Sequence, residues 1–71
     1  MTASITLETA GTVWKLLVKP GDQVAAGQTL FIMEVMKMEV PYEAPAAGTI
    51  AAVHIAEGDV VEEDFVAVEI G

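Results

Sequence analysis

Lys37 stands between Met36 and Met38 in the run Glu34-Val35-Met36-Lys37-Met38-Glu39, midway along the chain. An isolated amine held between two flexible thioethers suggests covalent chemistry, namely the attachment of a cofactor to the lysine side chain. The local sequence supports that reading because it makes a poor turn. Two-residue hairpins need positive φ, which Asn-Gly or Asp-Gly supplies cheaply. Met36 and Lys37 have neither the freedom of glycine nor the local hydrogen bond of asparagine. Places where such local rules fail tend to be functional or strained. Exposed methionines also suit adaptable contact surfaces. The spacing alone leaves a second reading open, in which Met36 and Met38 pack inward and Lys37 is an ordinary solvated tip.

The elements that must position Lys37 come from an internal repeat. Gly11-Thr12-Val13 recurs as Gly48-Thr49-Ile50, and Val18-Lys19-Pro20-Gly21-Asp22-Gln23-Val24 recurs as Ile55-Ala56-Glu57-Gly58-Asp59-Val60-Val61, both at an offset of 37. Five of the fourteen positions between residues 11–24 and 48–61 are identical. A constant offset over such a stretch marks a duplicated unit. Beyond Val61 the second copy is expected to be about one residue shorter. In each copy a β-rich run leads into a Gly-Asp turn, which glycine's positive φ and aspartate's local hydrogen bonding favour. A second apolar run follows, at Thr29–Met33 and at Phe65–Val68. Further strands are expected at Ser4–Leu7 and Met38–Tyr42, with Pro41 tolerable only at an edge or bulge. No segment has sustained helical spacing. The pattern predicts seven or eight short strands with frequent turns, an all-β sandwich or flattened barrel. The offset carries Lys37 to just before Met1 or just beyond Gly71, which predicts that its turn lies at the end of the molecule opposite the termini.

The bulk properties narrow the function. A chain of 71 residues is read as one domain over 1–71, and one of that size buries only about 60% of its unfolded surface. That leaves little room for an enclosed active site, so a self-sufficient enzyme is not expected. The chain is 54% hydrophobic, too apolar for disorder, yet no run approaches the roughly 18 apolar residues of a membrane helix. Met1-Thr2-Ala3-Ser4 shows no signal-peptide pattern, and without cysteine the expected compartment is the cytoplasm. The net charge is −8, with Lys15, Lys19 and Lys37 as the only lysines and no arginine. Nucleic-acid binding needs cations to displace counterions, so it is not expected. The acidity favours docking to a basic partner surface, or else serves only to keep a small domain soluble. Trp14 reads as a core or half-buried residue. His54, the lone histidine, gives no basis for a metal site, and Glu57, Glu62, Glu63 and Asp64 read as a solvated face.

The run Glu34 to Glu39, followed by Ala44-Pro45-Ala46-Ala47-Gly48-Thr49-Ile50, resembles the biotinyl domain of biotin carboxyl carrier proteins. It is especially similar to the small freestanding biotin/lipoyl attachment proteins. Val18 to Val24 and Gly27-Gln28-Thr29-Leu30 match the same family, so the likeness runs from about Ile5 to Ile70. The resemblance implies a barrel-sandwich hybrid of two four-stranded antiparallel sheets related by a pseudo-two-fold axis. It implies covalent biotin on Lys37, with lipoate possible, and recognition of Met36 and Met38 by a biotin protein ligase. It implies a non-catalytic, monomeric carrier that moves a carboxyl group between a biotin carboxylase and a carboxyltransferase. Glu34 and Glu39 also flank the turn, as recognition flanks for the ligase or carboxylase or as strand residues facing water. Val35 departs from the family, which usually has alanine or another small residue there. A β-branched side chain fits a strand but crowds the approach of a modifying enzyme. Lipoyl domains typically carry Asp-Lys-Ala at this turn, so Met36-Lys37-Met38 favours biotin. A third reading is an unmodified interaction module.

Overall fold

In a computed structural model, residues 3–71 form eight strands and no helix. They are β1 (Ala3–Thr6), β2 (Gly11–Leu16), β3 (Gln23–Val24), β4 (Thr29–Val35), β5 (Met38–Glu43), β6 (Gly48–Val53), β7 (Val60–Val61) and β8 (Val66–Ile70). Two antiparallel four-stranded sheets result, in the orders β1-β8-β6-β3 and β5-β4-β2-β7. The offset of 37 turns one order into the other, β1 into β5, β8 into β4, β6 into β2 and β3 into β7. The expected barrel-sandwich with pseudo-two-fold symmetry is the fold observed. Each repeat contributes strands to both sheets, so neither copy buries its apolar face without the other.

The duplication extends to individual hydrogen bonds. Gly21 N donates to Ile50 O at 2.8 Å and Gly58 N donates to Val13 O at 2.7 Å. The return bonds, Ile50 N to Asp22 O and Val13 N to Asp59 O, are both 2.8 Å. Gly21 and Gly58 need their positive φ of 95° and 90° to turn the chain from one sheet into the other, a conformation glycine adopts at little cost. The aspartates lock the same turns, since Lys19 N donates to Asp22 Oδ2 and Ala56 N to Asp59 Oδ2, each at 3.0 Å.

The second copy does not shorten beyond Val61, contrary to the expectation from sequence. Gly27 N donates to Ala44 O and Asp64 N to Leu7 O, both at 2.8 Å, again 37 apart. Gly27 and Asp64 both have positive φ, 83° and 68°. Asp64 is one of the few residue types that tolerate that region, so it replaces the glycine and hides the equivalence. Thr29 therefore corresponds to Val66, not to Phe65.

The core repeats as well. Every core residue except Ile5 falls into a pair 37 apart, such as Leu7 with Ala44, Val13 with Ile50, Leu30 with Ala67 and Phe31 with Val68. At Leu7/Ala44, Leu30/Ala67 and Phe31/Val68 the first copy holds the larger side chain, whereas at Val13/Ile50 and Val18/Ile55 the second does. Leu30 and Phe31 are fully buried. Leu30→Ala is expected to cost about 2–5 kcal/mol, a large share of the stability of so small a domain. Urea titration monitored by Trp14 fluorescence would measure the loss.

Asp22 adds a pH-dependent element. The hydrogen bond from the Lys19 amide, reinforced by the Lys19 side chain, holds its carboxyl below the ordinary value of 3.8. A carboxylate with a depressed folded pKa stabilises above its unfolded value, and the contribution disappears as pH falls through the folded one. The Asp22 contribution is therefore complete at neutral pH and lost only below 3.8. Stability curves of wild type and Asp22→Asn should converge in acid and separate above that value.

Candidate functional site

The hairpin joining β4 to β5 is as tight as a hairpin can be. Val35 pairs with Met38 as the last registered pair, leaving only Met36 and Lys37 as the loop. Both have positive φ, 52° and 67°, as a type I′ turn requires. The left-handed region costs an L-residue about 1–2 kcal/mol. All other positive-φ residues, Gly21 with Gly58 and Gly27 with Asp64, belong to the repeated framework. Met36 and Lys37 have no counterpart, and they take this conformation with neither glycine nor asparagine. The strain that the sequence suggested is thus present at the lysine itself.

Lys37 is exposed, Met36 retains 91% of its accessible surface and Met38 66%. The reading in which both methionines pack inward is excluded. Among the described residues the ion pairs are Lys19 with Asp22 and His54 with Glu69, and neither involves Lys37. Lys37 thus carries an exposed side chain with no ion-pair partner among the described residues.

The ladder explains why this tip stands where it does. Thr12 pairs with both Glu34 and Val60, so β7, β2 and β4 meet beneath the hairpin. From Gly11 at that end, β2 leads away to β3, which pairs with Gly48 and Thr49. Gly71 exchanges backbone hydrogen bonds with Thr49 there, at 2.8 and 3.2 Å, and Ala3 pairs with Ile70. Lys37 and the C-terminal residue accordingly occupy opposite ends of a molecule measuring 32 × 17 × 17 Å.

Gly11 supports the hairpin in a way that the sequence did not reveal. A Cβ at Gly11 would lie 2.7 Å from Glu34 O and 2.9 Å from Val35 Cγ2. The backbone of β2 thus passes directly under the two residues that lead into the tip. Gly11→Ala is expected to push that base apart at about 1–3 kcal/mol, measurable as a lower urea midpoint. Its appearance in the repeated Gly-Thr motif was the available signal, but a shared glycine does not say what it lies against.

The remaining candidates are not gathered at the tip. Trp14 is 43% exposed, at a bulge of β2 between Val13 and Lys15, with Lys15 Nζ 5.6 Å from its ring. His54 Nε2 lies 2.6 Å from Glu69 Oε2 on the other sheet. No group of three or more His, Cys, Asp or Glu among the described residues is placed to hold a metal ion. An open groove of about 430 Å³ separates the edge strands β1 and β5, lined by residues such as Ser4, Pro41 and Tyr42 and not by the hairpin. An exposed amine without an ion-pair partner, held clear of the core on a two-residue turn, fits a covalently attached acyl cofactor.

Comparison with known proteins points the same way. The family model for biotin-requiring enzymes, the biotin/lipoyl family, matches residues 1–70. The chain is 42% identical over 67 residues to the biotin/lipoyl attachment protein of Bacillus subtilis, covering 94% of this chain and 92% of that one. It is 47% identical over 51 residues to the biotin carboxyl carrier protein of Streptococcus mutans, covering 72% of this chain and 39% of the carrier. The crystal structure of Kluyveromyces lactis urea carboxylase contains the same fold, with a TM-score of 0.91 and 30% identity over the whole of this chain but only 6% of the carboxylase.

Proposed function

Because this chain belongs to the biotin/lipoyl attachment family, we propose that it is a biotin carboxyl carrier whose cofactor is attached to Lys37. The observation that carries this reading is the strained hairpin, which holds an exposed amine where a glycine or asparagine would make the better turn. Lys37 Nζ, once neutral, attacks the carbonyl carbon of a biotinyl group activated by a biotin protein ligase. The new C–N amide bond replaces the bond to the leaving group, and the amine gives up one proton. Met36, Met38 and Glu34 flank the amine and are the contacts offered to that ligase. Bound biotin would carry a carboxyl group between a biotin carboxylase and a carboxyltransferase.

The chain itself supplies a tether, a rigid base and an end remote from the C-terminus. A tethered group reaches both partner sites at an effective concentration up to the millimolar range. Hydrophobic pairs 37 apart fill the interior, and among the described residues no buried polar or charged side chain is present. In this reading the carrier moves the group, and its partners provide the acid–base chemistry.

A lipoyl carrier, or an acceptor of either cofactor, is the second reading, favoured by the double name of the Bacillus subtilis relative. Separate incubations with a biotin protein ligase plus biotin, and with a lipoate ligase plus lipoate, distinguish these by intact mass. A biotinyl increment alone is expected. A lipoyl increment alone would replace the first reading with the second, both increments would make the chain a dual acceptor, and neither would remove the carrier function.

A further inference from the structure

The duplicated fold contains its own control surface. Most positions on one sheet have a counterpart 37 residues away in the same strand environment, so a difference in side-chain chemistry between the two is not a requirement of the fold. Val60 on β7 and Gln23 on β3 are such a pair. Both are exposed. Gln23 pairs with Thr49 on β6, and Val60 pairs in the same way with Thr12 on β2. The end near the C-terminus carries the polar residue that an exposed position favours. The Lys37 end carries a valine that keeps 81% of its surface in water.

Val60 is also in line with the attachment hairpin. Thr12 pairs with Glu34, and Glu34 with Glu39. Residues directly opposite each other in a ladder share one face of the sheet. Val60, Thr12, Glu34 and Glu39 therefore form one row across β7, β2, β4 and β5, with Glu34 and Glu39 one residue pair below the Met36-Lys37 turn and Val60 two strands from β4. The counterpart row has Gln23, Thr49 and Gly71 in place of Val60, Thr12 and Glu34. An apolar end and two carboxylates thus mark the row at the lysine end only.

We propose that this row is a docking surface for the enzyme that acylates Lys37, with Val60 as its apolar anchor. The inference rests on the carrier function proposed above. Distance selects this occupant over the other partners. Amide formation requires the reacting atoms to come within about 3–3.5 Å, and Lys37 Nζ is only one side chain away from the backbone of the tip. The ligase must therefore close over the hairpin and the strands under it. A carboxylase or transferase meets the far end of the finished arm and can work without touching β7. The chemistry of the row describes the facing surface: a shallow apolar pocket for Val60 and cationic groups for Glu34 and Glu39.

The test is a steady-state titration of the unmodified chain against a purified biotin protein ligase with biotin and ATP, read by mass spectrometry. Val60→Gln, which installs the counterpart residue, is expected to raise KM for the chain by about five- to twentyfold and to leave kcat unchanged. Val60→Thr keeps the β-branched shape and should fall between the two. Gln23→Val, the reciprocal change at the far end, should alter neither constant. Thermal melts of the variants should match wild type, because both positions are exposed. Wild-type KM in Val60→Gln and Val60→Thr, with Lys37 still acylated, would overturn the docking surface and leave the carrier function standing. Absence of any acylation of the wild-type chain would overturn both.

Discussion

Lys37→Arg is expected to abolish acyl transfer completely while leaving the fold intact. Arginine preserves the positive charge and the long aliphatic stem, but its guanidinium cannot deprotonate in proteins and so provides no nucleophile. Position 37 is exposed and in no ion pair among the described residues, so the substitution removes no packing and no partner. The mass increment seen with a ligase should disappear, and the melting temperature should stay within a degree or two. An arginine variant that still gains the increment would mean that Lys15 or Lys19 is the acceptor. Lys19 is paired with Asp22 at 3.2 Å and Lys15 lies over Trp14, so neither offers an equally free amine.

The double change Met36→Asn with Lys37→Gly should have the opposite effect on stability. Asn-Gly is the preferred sequence of a type I′ turn, whereas Met36 and Lys37 hold φ of 52° and 67° against their own preference. Relief of that strain is expected to stabilise the domain by about 1–3 kcal/mol in total. In a domain this small each kcal/mol raises the melting temperature by about 4–8 °C. The variant should be markedly more stable and wholly unable to accept a cofactor. Such an outcome would show that the hairpin gives up stability for chemistry. A double variant no more stable than wild type would mean that the ladder, through Val35 with Met38 and Glu34 with Glu39, sets the turn without strain.

Much of this architecture is visible in the sequence because the duplication is visible. The offset of 37 between the Gly-Thr and Gly-Asp motifs predicted both crossover turns, the paired strands and the remoteness of Lys37 from the C-terminal end. The unsuitability of Met36-Lys37 as a turn was equally legible, since it depends only on side-chain type. The equivalence of Gly27 and Asp64 was not. Glycine and aspartate look unrelated until their shared positive φ is known, and reading them apart produced the spurious one-residue shortening. Gly11 looked like a motif residue, and only the backbone of Glu34 at 2.7 Å from its missing Cβ shows what it makes room for. Val60 was hidden for a different reason. A valine in a two-residue strand reads as core, as its neighbour Val61 is, and the one-residue alternation that puts it in water is set by pairing with Thr12.

Peptide mapping of the wild-type chain after exposure to a biotin protein ligase, biotin and ATP tests the central claim most directly. A single biotinyl group on the fragment containing Lys37, with Lys15 and Lys19 unmodified, is the predicted result. Biotin on either of those two lysines, or a chain that remains unmodified throughout, would contradict it.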